Sequence, residues 1–263
     1  MTTPPPGALA WAASFSGPQT MAYVESRLAG GTHAATHLIR TTSPAGEAVL
    51  RRFPPGDDAA AREAAVLTAL DGLDGLAPRL LAADPSGQAF GEPATLLTRL
   101  PGRAEITPAR PEQLGRTLAR IHATPIERLG GLREIIAGPP VLAHNDYWSG
   151  NVLWEGDTLT GVVDWSGAGR APRGYDVGWC RLDLVLIHGP AVADEFLAAY
   201  EDAAGLRVPD LVAWDLYALA SSRERVETWL PNYHDLGRTD LTAADLRDRH
   251  TTWTAQRSAA SPG

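Results

Sequence analysis

The spacing of hydrophobic positions changes near residue 100. Before it, short apolar stretches are cut by polar residues and turn signals. Thr36-His37-Leu38-Ile39-Arg40 and Ala48-Val49-Leu50-Arg51-Arg52-Phe53 read as strands joined across Ser43-Pro44-Ala45-Gly46. Asp57-Asp58 opens an Ala-rich helix that ends near Leu70, with Asp71-Gly72 as its stop. Thr95-Leu96-Leu97-Thr98 reads as a further strand running into Leu100-Pro101-Gly102, a boundary signal. Beyond it, Leu114, Leu118 and Ile121 recur at helical spacing up to His122. Val141 to Asn151 reads as a loop with an apolar entry. Residues 152–154 and 159–165 flank Glu155-Gly156-Asp157-Thr158 as a hairpin. The remainder reads as helices over 176–187, 190–204, 210–230 and 240–256, broken at Gly189-Pro190, Gly205 and Pro231. The pattern therefore predicts an α+β protein of two lobes. Residues 1–20 form a loosely ordered lead or a short lead-in helix, 21–100 a small β-sheet lobe, 101–257 a larger, mainly helical lobe, and 258–263 a frayed tail.

Composition narrows the chemistry. All 23 basic residues are arginine, and the chain holds no lysine. That excludes a Schiff base, a pyridoxal-phosphate anchor and the phosphate-loop lysine of common NTPases. A net charge of −8 argues against a nucleic-acid or anionic-membrane partner. Cys180 is the single cysteine, so neither an intramolecular disulfide nor a multi-thiolate metal site can form, and it reads as a small buried hydrophobe. No apolar run is long enough to span a bilayer, and Met1 to Gly7 lacks the basic start of a signal peptide. The expected location is the cytoplasm.

One run concentrates polar chemistry. His144-Asn145-Asp146-Tyr147-Trp148-Ser149-Gly150-Asn151 is followed, after twelve residues, by Asp164 in Val162-Val163-Asp164-Trp165. Phosphoryl transfer from a nucleotide requires a carboxylate to orient the attacking hydroxyl and accept its proton, and hard oxygen ligands to hold magnesium. Asp146 fits the first role, and Asn151 and Asp164 fit the second.

This run resembles the catalytic loop of the aminoglycoside phosphotransferase and choline kinase-like enzymes, relatives of the protein kinases. Only 144–164 is specific, although the resemblance extends over roughly residues 23–230. It implies a protein-kinase-like fold in which 21–100 bind the nucleotide and 101–257 hold the catalytic and acceptor sites. It also implies Mg2+, ATP or GTP as donor, Asp146 as base, Asn151 and Asp164 as metal ligands, and His144 and Asp176 as structural supports of the site. Asn145 stands where the family usually has glycine, a position whose backbone angles asparagine tolerates. The family's strand lysine is absent; Arg51 aligns with it and Glu63 is the matching helix carboxylate, on an unusually short spacing of eleven intervening residues. Arg52, its neighbour, points the opposite way by strand alternation. Gly30, Gly31 and Thr32 would cover the phosphates. Thr98 and Leu100 lie in the Leu97 to Leu100 segment that the resemblance sets against the adenine.

The resemblance implies a small-molecule hydroxyl as acceptor, and the acidic charge slightly favours a cationic one. Only 21 residues separate His122 from His144, which moves the acceptor site toward the C-terminal helices. Asp183, Glu224, Glu227 and Trp179 are the candidates there. Without the lysine, a pseudokinase-like module that binds a nucleotide or small molecule without turnover is the alternative. Oligomeric state leaves no mark in the sequence.

Overall fold

The computed structural model describes residues 3–28 and 34–260. It is a mixed α+β structure that divides into two compact units: 1–102 with 153–167, and 103–152 with 168–263.

The first unit opens with α1 (Pro6–Ser14), followed by β1 (Ala22–Arg27), β2 (Ala35–Thr42), β3 (Ala45–Arg52), α2 (Ala59–Leu70), β4 (Leu80–Asp84) and β5 (Ala94–Thr98). The five strands form an antiparallel sheet in the order β1-β2-β3-β5-β4. Its three inner strands are those expected from the sequence, with Leu38 opposite Val49 and Leu50 opposite Leu96. Burial of Ile39, Leu50 and Leu96 explains the alternation. Of the two readings of the N-terminal lead, loose order or a short helix, the structure has the helix α1. Ala8 and Ala12 pack into the sheet core beside Ile39, Leu50 and Leu96. Small side chains allow that close approach, and they are also why the segment carries no amphipathic signature.

In α2, the Asp57 carboxylate caps the helix by accepting from the Ala59 amide at 2.7 Å. Asp71 ends it in the left-handed region, with φ of 42°. The hairpin of β8 (Val152–Glu155) and β9 (Thr158–Val162) departs from the boundary expected after residue 100, since residues 153–167 cluster with the first unit. The Val162 amide donates to Leu76 O at 2.7 Å, and the Thr160 hydroxyl to Pro101 O at 2.6 Å. These contacts lie far away in sequence, so periodicity could not reveal them.

The second unit contains β6 (Arg103–Ala104), α3 (Pro111–His122), β7 (Val141–Ala143), β10 (Gly169–Ala171), α4 (Gly174–His188), α5 (Pro190–Ala204), α6 (Leu211–Ser222), α7 (Leu230–Asp235) and α8 (Ala243–Ala259). The apolar entry at 141 is a strand: β7 pairs antiparallel with β10, Leu142 opposite Arg170. The expected helix over 210–230 stops at Ser222, and Pro231 begins a helix where it was expected to break one. Proline is tolerated in a first turn, where its missing N–H has no intrahelical acceptor. Of the expected tail, residues 258 and 259 close α8, and 261–263 fall outside the described residues.

The helices pack around α4, which is apolar on most sides and buries Val177, Cys180, Leu184 and Ile187. Burial pushes the Cys180 thiol pKa well up, as suits a packing residue. Arg181 of α4 is only 1% exposed. It donates to Asp215 of α6 at 3.0 Å and to the Ala193 carbonyl of α5 at 2.9 Å. Asp215 also pairs with Arg257 of α8 at 3.1 Å. Four helices thus share one buried ionic network.

Helices α3 and α5 meet at Gly115. A Cβ there would lie 2.5 Å from Phe196 O and 2.7 Å from Tyr200 N. Gly115→Ala is expected to force the helices apart and cost about 1–3 kcal/mol. Urea denaturation followed by far-UV circular dichroism measures that loss.

Candidate functional site

Two groups of polar residues stand out, one in each unit. In the first unit, Arg51 of β3 and Glu63 of α2 form a buried ion pair. The second guanidinium nitrogen of Arg51 donates to Asp164 Oδ1 at 3.0 Å. Burial opposes the Arg51 charge, but Glu63 and Asp164 outweigh it and raise the pKa above the usual arginine value. Thr95, opposite Arg51 on β5, donates to the other Glu63 oxygen at 2.7 Å. Ser166 donates to Asp164 Oδ1 at 2.9 Å, and Asp164 adopts a left-handed φ of 65°. Arg52, on the opposite face of β3, bonds Glu92 at 2.6 Å. The short spacing between Arg51 and Glu63 therefore does not prevent their pairing. Neither Thr95 nor Ser166 carried a sequence signal: Thr95 acts on Glu63, 32 positions away, and Ser166 supports Asp164, whose ion-pair partner Arg51 is distant in the chain.

Other expected nucleotide contacts are less defined. Thr98 Oγ1 accepts from the Arg79 amide at 2.8 Å. Leu100 packs on Gly161, which leaves no room for a side chain there. The expected phosphate-covering residues Gly30, Gly31 and Thr32 lie outside the described residues.

In the second unit, the loop after β7 is anchored by Asp176 at the start of α4. One Asp176 oxygen accepts from the His144 amide at 2.7 Å, and the other from the Asn145 amide at 2.9 Å. His122 Nε2 lies 3.2 Å from the first of these oxygens, and His122 Nδ1 lies 2.8 Å from the Tyr200 hydroxyl. Asn145 has a left-handed φ of 70°, and its side-chain oxygen accepts from the Tyr175 hydroxyl at 2.6 Å. The turn brings Asp146 to Asn151: Asn151 Nδ2 donates to the Asp146 backbone oxygen at 2.9 Å and to its Oδ2 at 3.0 Å. His144 Nδ1 accepts from the Asp146 amide at 3.3 Å. His122, Tyr175 and Tyr200 were not singled out from the sequence. His122 closes an amphipathic helix and looks like an ordinary helix-terminal cation.

A cavity of about 300 Å³ opens beside Asp146 within this unit, lined also by Trp148, Trp179, Asp183, Arg225 and Tyr233. It includes two of the four acceptor candidates. Glu224 and Glu227 are not among its lining residues. Glu224 is exposed at the end of α6, and both oxygens of Glu227 are taken by Arg247 at 2.6 Å.

A match to the phosphotransferase enzyme family (APH) covers residues 25–137 and 128–217. Solved structures share the fold. A candidate aminoglycoside phosphotransferase from Ralstonia eutropha JMP134 superposes with a TM-score of 0.68 at 15% identity, covering 98% of each chain. Macrolide 2'-phosphotransferase MphH from Brachybacterium faecium gives 0.59 at 18% identity, covering 97% of this chain and 99% of its own. A thermostable mutant of aminoglycoside phosphotransferase APH(4)-Ia, in a ternary complex with AMP-PNP and hygromycin B, gives 0.57 at 14%, covering 90% and 94%. No curated protein sequence matches this chain. With well over half of its length matched and the kinase-like fold in place, the chain belongs to the phosphotransferase enzyme family.

Proposed function

We propose that the protein is a small-molecule kinase that transfers the γ-phosphate of ATP or GTP to a hydroxyl of its acceptor. The reading is carried by the hydrogen bond from Asn151 to Asp146, which ties the candidate base to the candidate metal ligand. That bond occupies Asp146 Oδ2 and fixes the carboxylate for its work at the acceptor hydroxyl. The acceptor oxygen forms the new bond to phosphorus, the bond from the γ-phosphorus to its bridging oxygen breaks, and the hydroxyl proton passes to Asp146.

Each unit offers a hard oxygen donor of the kind magnesium takes. Asn151 directs its amide N–H groups at Asp146, leaving its carboxamide oxygen as a hard ligand, and Asp164 supplies a carboxylate. Bound magnesium would neutralise charge on the phosphates. Arg51, held by Glu63, is the cation proposed for the phosphates in place of lysine; guanidinium binds them through two parallel hydrogen bonds. A relative crystallised with AMP-PNP and hygromycin B supports a nucleotide donor and a small hydroxylated acceptor.

Asp146→Ala is expected to lower turnover by roughly 10²–10⁴-fold, the contribution typical of a positioned general base. A mass-spectrometric screen for acceptors gaining one phosphate, run with Mg-ATP and Mg-GTP, supplies the assay. Full activity in that variant would sink the mechanism, and nucleotide binding without turnover on any acceptor would favour the binding-module alternative.

Arg51→Lys is expected to retain measurable activity, and Arg51→Ala to lose most of it. The alanine variant also strands Glu63 in the interior, at a cost of about 3–5 kcal/mol. Steady-state kinetics on the folded fraction separates the two effects; equal activity in Arg51→Ala and wild type would show that another residue meets the phosphates.

A further inference from the structure

The walls of the cavity beside Asp146 select among acceptors. Trp179 and Trp229 meet with ring centroids 6.2 Å apart at 58°, and Trp148 and Tyr233 at 5.8 Å and 62°. Rigid aromatic surfaces of this kind suit the C–H faces of a ring better than a flexible chain. The cavity, at about 300 Å³, is at the lower end of the range for ligand pockets, roughly 300–1,000 Å³.

Its charge pattern is unusual for an acidic protein. Arg225 reaches the cavity with its guanidinium 5.8 Å from the centre of the Trp179 ring. Like Arg223 of the same unit, it is exposed and makes no ion pair among the described residues, whereas Arg181, Arg238, Arg247 and Arg257 each hold a carboxylate. A guanidinium steadied by stacking and lacking a carboxylate partner is ready for a bidentate anion.

The opposing acids offer little to an amine. Burial pushes Asp183 up to about 7; the Tyr233 hydroxyl, donating at 2.6 Å, pulls the other way, and nearby Asp146 adds to the rise. Asp183 is therefore held toward its neutral form relative to an ordinary carboxylate. Asp146 faces the reacting hydroxyl, and Glu224 and Glu227 lie outside the lining.

We propose that this cavity takes a compact hydroxylated ring bearing a single carboxylate or phosphate, with the anion on Arg225 and a hydroxyl at Asp146, an assignment that rests on the phosphotransferase reading above. Arg225 opposes a polycationic acceptor by like-charge repulsion.

Calorimetric titration of the full chain with magnesium and AMP-PNP tests this, using glucuronate, glucose 6-phosphate, glucose, glucosamine and kanamycin as probes. At least one acid is expected to bind about tenfold or more tighter than glucose and glucosamine, as a charge-assisted hydrogen bond implies. The tighter of the two identifies the anion. Arg225→Ala is expected to erase the advantage of the acid over glucose, and Arg225→Lys to restore part of it. Glucosamine or kanamycin binding as tightly as the acids overturns the proposal. So does an acid advantage that survives in Arg225→Ala, or failure of both acids to bind at millimolar concentration. Kanamycin phosphorylation that disappears in Asp146→Ala would leave the kinase reading standing while removing this one. Absence of any nucleotide binding would instead remove the reading beneath it.

Discussion

Without Asp176, two backbone amides of the 144–151 loop would lose their acceptors in a nearly dry interior. Its carboxylate takes the N–H groups of His144 and Asn145, and His122 lies against it from α3. An unsatisfied buried donor costs about 1–3 kcal/mol, so the carboxylate and the loop conformation require one another. The loop's remaining geometry follows from this anchor. Asn145 can turn left-handed because its neighbours are pinned, and the chain then returns to bring Asn151 onto Asp146. The anchor itself rests on packed helices: Asp176 begins α4, whose Arg181 is locked to α5 and α6.

Arg51 organises the first unit in a comparable way, with a different balance of forces. A buried cation is costly unless its partners match it closely. Here Glu63 and Asp164 flank one guanidinium, and Thr95 completes the Glu63 carboxylate. Lysine, a compact point charge, could not direct two separate nitrogens to two carboxylates in one fixed plane. The chain's exclusive use of arginine thus has a structural counterpart in this group.

The sequence revealed features whose causes are local. The β2–β3 turn, the Asp57 cap, the Asp71 stop and the α3 stripe all follow from residues a few positions apart. The Asp146 and Asn151 pairing was legible through a compact, specific spacing. What remained hidden depends on long-range contact. Helix α1 stayed open between a loose lead and a short helix, because the alanines that fit it against the sheet carry little hydrophobic signal. The hairpin at 153–167 is claimed by Leu76 and Pro101, which no periodicity relates to it. Glu227 read as an acceptor candidate from its charge alone, and Arg247 was the partner that the linear chain concealed.

Two of the left-handed residues, Asn145 and Asp164, bear on how far this sequence could drift. At position 145 the backbone is the main filter, so glycine is the nearest open alternative, at the loss of the Tyr175 hydrogen bond. At position 164 two filters coincide: the backbone admits glycine, asparagine or aspartate most readily, and the Arg51 pair requires a carboxylate. Glutamate, the usual conservative exchange, satisfies the charge and strains the turn. Asparagine satisfies the turn and forfeits the charge. Neighbouring variants are therefore separated from aspartate by opposite defects, which makes position 164 an isolated point in sequence space.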